Sequence, residues 1–116
     1  MAKEVNYERH LFVGEDKRFE LHVKDEAGAS VDITGWVGRL VVKRKERDVD
    51  SVLDVAFVVD GTFSPSSNPQ RAVVIVTDTQ LSLPPRVYRH SWKRLDDGTE
   101  TILAYGNFNL QLATQA

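Results

Sequence analysis

The sequence predicts an all-β fold, a two-layer antiparallel sandwich of about seven strands with at most one or two short helical turns. Three observations predict it. Apolar and polar residues alternate with period two in run after run. Turn-forming residues separate those runs at the spacing of a sandwich. No stretch carries the periodicity of a long helix. The 116 residues are the size of one domain, expected to span 1–116, and at 41% hydrophobic content they can build an ordinary core.

An opening strand is placed around Asn6–Val13. Arg18–Lys24 sets Phe19, Leu21 and Val23 on one face and Arg18, Glu20, His22 and Lys24 on the other, the signature of a strand with one wet face. Trp36–Lys45 opposes Trp36, Gly38, Leu40 and Val42 to Arg39, Val41, Lys43 and Lys45. Val52–Val59 groups Leu53, Val55, Phe57 and Val59 as one strand face. Arg71–Thr77 is apolar on both parities. Arg86–Leu95 aligns Tyr88, His90 and Trp92, and Thr99–Leu112 aligns Ile102, Ala104, Gly106, Phe108 and Leu110. The expected core is Phe19, Leu21, Val23, Trp36, Leu40, Val42, Phe57, Val74, Tyr88, Trp92, Phe108 and Leu110.

The punctuation agrees. Asp96-Asp97-Gly98 signals a hairpin, because Asp-Gly supplies the positive φ angles of a tight turn. Glu26-Ala27-Gly28 and Asp60-Gly61 mark further turns, and Ser64–Gln70 is a Pro/Ser/Asn loop. Thr77–Leu83 suits one helical turn, capped by Thr77 or Asp78 and stopped by Pro84-Pro85.

Composition narrows the chemistry. Without cysteine there is neither a disulfide framework nor a thiolate metal site. Fifteen basic against 17 acidic residues call for neither nucleic acid nor a membrane as partner. No run approaches the roughly 20 apolar residues of a membrane span, and MAKEVNYERH has no signal-peptide core. The chain is therefore expected to be soluble and made in a cytoplasm. His10, His22 and His90 lack the spacing of a zinc site. Asp48, Asp50 and Asp54 lack the glycine and terminal glutamate of a calcium loop. No phosphate loop or nucleophile elbow is present. No catalytic residue, cofactor or metal is expected, and the chain is not expected to be an enzyme.

Two features point outward. Lys43-Arg44-Lys45-Glu46-Arg47 is a basic run to which Arg86, Arg89, Lys93 and Arg94 would add if their strands were neighbours. It reads either as a solvated, edge-guarding strand end or as a basic patch of the kind that takes single-stranded nucleic acid. The strand Ala72–Val76 reads either as a central strand or as a subunit contact, since exposed β-branched surface marks interfaces. The candidate interface comprises Val73, Ile75, Leu103, Tyr105, Pro65 and Pro69, with the N-terminal segment as a further contact.

The order of segments carries a resemblance. Gly14-Glu15-Asp16 leads into Phe19-Glu20-Leu21, and Gly28-Ala29-Ser30-Val31-Asp32-Ile33-Thr34-Gly35 follows. After Arg39-Leu40-Val41-Val42 comes Thr77-Asp78-Thr79-Gln80-Leu81-Ser82-Leu83-Pro84-Pro85-Arg86-Val87-Tyr88, and the last strand holds Gly106-Asn107-Phe108. This layout resembles the small immunoglobulin-like β-sandwich virion proteins of tailed bacteriophages, which include N-terminal domains of upper baseplate proteins and related tail and neck components. The resemblance spans nearly the whole chain, but its motifs are structural. Pro84-Pro85-Arg86 stands where the family often has Pro-Gly before the tyrosine strand, and the conventional immunoglobulin cysteines are missing.

The resemblance implies an immunoglobulin-like sandwich acting as a structural component of the tail, baseplate or neck. It would dock by protein–protein contacts to other virion structural proteins, as a homo-oligomer within a symmetric assembly. Its place would be the virion, and the host cytoplasm during assembly. Neither membrane nor nucleic acid is an expected partner. The alternatives are a free-standing binding module for carbohydrate or nucleic acid, with Trp36 or Trp92 exposed on a concave face, and a capsid decoration protein.

Overall fold

The computed structural model describes residues 3–7, 11–25, 27–45, 47–64, 66–96 and 101–111. Among them are eight strands and no helix. They are β1 (Lys3–Glu4), β2 (Lys17–Leu21), β3 (Gly38–Lys43), β4 (Leu53–Ala56), β5 (Val58–Asp60), β6 (Arg71–Val76), β7 (Arg86–Arg94) and β8 (Thr101–Leu110). One sheet has the order β1-β8-β7-β3-β4 and the other β2-β6-β5. Every pairing is antiparallel except β1 with β8, which is parallel. This is the strand order of an immunoglobulin sandwich: three strands on one side, and on the other the last two strands beside the third.

The alternating residues close the core between the layers. Phe19, Leu21 and Val74 from the small sheet meet Leu40, Val42, Tyr88, Trp92, Phe108 and Leu110 from the large one, all buried. Val23 and Trp36 pack against this core and are partly buried. Leu11, Ile33 and Leu81 are buried as well. All three lie outside the strands, where no periodicity announces them.

Several expectations are corrected. The run Val52–Val59 is two strands, not one. Leu53–Ala56 pairs with β3, and Val58–Asp60 pairs with β6 in the opposite sheet. Phe57 is the buried pivot, its N–H donating to the Gly38 carbonyl at 3.0 Å. The last strand is also irregular. Trp92 pairs with Ala104 but Lys93 with Ile102, so Leu103 is an extra, bulged residue. Ile102 consequently joins the outer groove described below, and Leu103 packs against the core.

The N-terminal segment, proposed above as a contact, is used within the chain. Val5 and Tyr7 donate N–H groups to the Tyr105 and Asn107 carbonyls at 2.8 and 2.9 Å, and Val13 donates to Gln111 at 2.8 Å. The free edge of β8 is thereby sealed by its own chain.

The motif segments prove to be corners. Asp32 Oδ1 accepts from the Thr34 N–H and hydroxyl, and Gly35 takes φ +80°. The buried Gln70 clasps this turn from across the sandwich. Its Oε1 accepts from the Ile33 N–H, and its Nε2 donates to Thr34 Oγ1, both at 2.9 Å. Thr77 and Gln80 exchange side chain–backbone bonds as a capping box, and Leu81 N–H reaches the Thr77 carbonyl. The expected helical turn is this one hydrogen-bonded turn, capped by Thr77. Tyr88 then donates its hydroxyl to the Pro84 carbonyl at 2.5 Å, a tyrosine corner at the entry of its strand. Asp97 and Gly98 of the anticipated hairpin, and Glu26 of the earlier turn, lie outside the described residues.

Candidate functional site

The two outer faces of the sandwich carry the candidate residues. On the three-stranded face β6 is central, flanked by β2 and β5. Its outward positions are Arg71, Val73 and Ile75, opposite Arg18 and Glu20 on one side and Val58 and Asp60 on the other. Arg18 reaches over β6 to Asp60 at 3.2 Å. In register this bridge crosses Val73, which is 6% exposed while Ile75 is 61% and Val58 68% exposed. The double apolarity of the strand is thus explained in part: Val73 lies under an ion pair, and Ile75 stands in the open.

The candidate interface residues do not converge. Ile75 is on the three-stranded face and Val73 is covered there. Tyr105 is exposed on the opposite outer face, and Leu103 turns inward through the bulge. Pro69 is exposed in the loop before β6, and Pro65 lies outside the described residues. Val58 was not singled out, because reading Val52–Val59 as one strand concealed where the chain changes sheets.

The five-stranded face brings the cations together. The pairing of β3 with β7 sets Lys43 opposite Arg89 and Arg39 opposite Lys93. Arg39 is ion-paired with Asp54. Arg89 donates to Asn107 Oδ1 at 2.5 Å. A depression of about 350 Å³ lies among Lys43, Arg89 and Lys93, with Val41, Ile102 and Tyr105 in its lining.

Several other polar residues have local tasks. Asp48 accepts from the Lys45 N–H in the turn after β3. Asp96 accepts from Arg94 and the Val37 N–H, and the guanidinium bonds hold its carboxyl down to about 2. Arg94 in turn lies over the Trp36 ring at 3.9 Å. Trp36 lines an open end of the sandwich with Leu21, Val23, Val31 and Leu103. Trp92 is fully buried and its indole N–H points at Tyr7 Oη, 3.3 Å away. No concave aromatic platform forms from the two tryptophans. Among the described residues no group of three His, Cys, Asp or Glu side chains gathers as metal ligands, and no helix is long and apolar enough to cross a membrane. His10 lies outside the described residues.

His90 is the one buried histidine among the described residues. Its Nε2 sits 2.6 Å from the Val5 carbonyl, between the rings of Tyr7 and Phe108. Burial pushes its pKa down, the bond to Val5 opposes this, and the Arg89 charge lowers it further. Below about pH 6.5 the unfolded imidazole takes up a proton that the folded one still refuses. Stability is therefore full above that range and declines as pH falls toward the folded pKa. His22 shifts in the same direction, mainly through burial. Urea unfolding from about pH 8 to about pH 5 is expected to show this loss, and His90→Gln to flatten it. An unchanged slope in the variant would assign the dependence elsewhere.

Comparison of the chain with protein-family models, with curated proteins and with solved structures gives no match.

Proposed function

We propose that this chain is a docking module rather than an enzyme: a structural component of a tailed-phage virion, held in multiple copies in the tail, baseplate or neck region. The observation that carries the reading is the three-stranded outer face. Val58 and Ile75 are exposed there, among Arg18 and Arg71 on one hand and Glu20 and Asp60 on the other. Balanced charges around an apolar pair are self-complementary, which suits a second copy as occupant. The face is small, about 15–20 Å along the strands and roughly 10 Å across them. That is well short of the roughly 800 Å² per partner of a stable pair. Such a contact holds as one among several in a symmetric particle, where each further contact is made at high effective concentration.

The test is quantitative mass spectrometry of purified virions, with the double variant Val58→Lys/Ile75→Lys beside the wild type. Val73 is left alone because it is buried. The wild type is expected in stoichiometric amounts, and the variant is expected to fold yet be missing from particles. Absence of the wild type from virions would overturn the reading. A variant incorporated at wild-type copy number would remove this face from it.

A further inference from the structure

We infer that His90 is an acid-sensitive latch on the N-terminal segment: on taking up a proton it releases residues 3–7 from β8 and opens that edge of the large sheet. The inference goes beyond the docking reading and does not depend on it.

The segment has a shaped seat but little to hold it there. Lys3, Glu4 and Asn6 are exposed, so only Val5 and Tyr7 reach the core. Hydrogen bonds to β8 supply the rest. Besides the Val5 and Tyr7 N–H groups, the Tyr7 carbonyl accepts from the Asn109 N–H and Asn6 Oδ1 from the Asn107 N–H, both at 2.8 Å. Gly106 makes the room, since a Cβ there would collide with the Val5 carbonyl and the Asn6 side chain. Few apolar contacts and an exposed ladder mark a unit that opens on its own, ahead of global unfolding.

His90 fastens this unit from the core side. A carbonyl only accepts, so the 2.6 Å contact with Val5 makes Nε2 the protonated nitrogen of a neutral ring. Nδ1 is then bare, and it is buried without a protein partner. The Tyr7 and Phe108 rings flank the imidazole, with centroids 4.8 and 6.4 Å away. A second proton can go only on Nδ1, where it would form a charged N–H with nothing to accept from it. A buried charge left unpaired in this way costs enough to force a rearrangement.

The neighbours offer no relief. On β7, Arg89 adds a like charge, and Tyr88 spends its hydroxyl on the Pro84 carbonyl. On the N-terminal segment, the Tyr7 hydroxyl accepts from Trp92 Nε1 at 3.3 Å. β3 and β8 set Val42 and Gly106 opposite His90. Among the described residues no carboxylate faces the ring; Glu8, Arg9 and His10 lie outside them. The N-terminal segment is the most weakly held element around the ring, so it yields first. Its release leaves the Tyr105 and Asn107 carbonyls and the Asn107 and Asn109 N–H groups unpaired, an open edge of the kind that pairs between chains.

Native-state hydrogen exchange tests the latch, read at the Val5, Tyr7, Asn107 and Asn109 amides of the full chain. Corrected for intrinsic rates, their opening equilibrium is expected to rise about tenfold or more from about pH 7.5 to about pH 5. Dilute urea should leave this opening unchanged, which separates local release from global unfolding. His90→Gln keeps an amide donor for Val5 but cannot titrate, and in it the rise is expected to vanish. Gly106→Ala probes the coupling in reverse: with the segment unseated at neutral pH, His90 should titrate near the ordinary value of about 6.5 by NMR. Should either variant fail to fold, exchange in the wild type decides alone. A wild-type opening that ignores pH or tracks urea, a rise that persists in His90→Gln, or a His90 titration still depressed in Gly106→Ala would each overturn the proposal.

Discussion

Replacing Phe108 with alanine is expected to lower the unfolding free energy by about 3–5 kcal/mol, the range for deleting a buried aromatic ring. The ring is fully buried at the junction of three parts of the chain. It lies 5.6 Å from the Phe19 ring of the opposite sheet, 6.1 Å from Tyr7 and 6.4 Å from His90. Its own strand is flanked on one side by Tyr88 of β7 and on the other by the N-terminal segment at Tyr7. Truncation removes transfer energy and also opens a cavity that strands pinned on both sides cannot close. Since a domain of this size holds only about 5–15 kcal/mol in all, the variant should approach the limit of folding. Urea denaturation at low temperature would measure it. Tyr105→Ala, on the outward parity of the same strand, is expected to change stability by about 0.5 kcal/mol or less. Near-equal losses at the two positions would mean that β8 is misregistered.

That contrast shows what alternation can reveal. Parity told Phe108 from Tyr105 and Phe19 from Glu20, because a strand with one buried face writes its orientation into neighbouring residues. It was silent wherever orientation depends on a distant partner. Phe57 keeps the inward parity expected of it, yet the strand around it changes sheets, and nothing within Val52–Val59 marks the change. The Leu103 bulge exists only relative to Trp92 and Lys93. Gln70 looks like an ordinary loop residue until Ile33 and Thr34, more than thirty positions earlier, are brought to its side chain. The basic groove has the same origin. Lys43 and Arg89 were each visible as cations, and Tyr105 as an outward aromatic residue, but only the β3–β7–β8 pairing makes them neighbours. The motifs that carry the family resemblance, Asp32-Ile33-Thr34-Gly35 and the segment from Thr77 to Tyr88, account for corners of the sandwich. Beyond the corners, they contribute only Val87 to an outer face, that of the five-stranded sheet.

The change of sheets at Phe57 yields the second large effect. Gly38 starts β3 opposite Arg94 and is buried. A Cβ there would collide with the Lys93 carbonyl and with the Phe57 ring, so Gly38→Ala is expected to cost at the upper end of the roughly 1–3 kcal/mol of overpacking, or more. The two obstacles differ in kind. The ring can move if Phe57 is shortened, whereas the carbonyl belongs to the neighbouring strand and can yield only by distorting the ladder. Gly38→Ala/Phe57→Leu should therefore recover part of the loss relative to Phe57→Leu alone, and a full recovery is not expected. Gly35→Ala separates this steric cost from a conformational one. Gly35 has open space where a Cβ would go but sits at φ +80°, so its replacement should cost about 1–2 kcal/mol through backbone strain alone. Urea unfolding of the four variants decides the matter. If Gly38→Ala is no worse than Gly35→Ala, the crossover is slack and the ring moves aside freely. If the loss is larger and partly suppressed by Phe57→Leu, the absent side chain at Gly38 is what lets Phe57 pivot the chain from one sheet to the other, and Val58 owes its position on the outer face to that pivot.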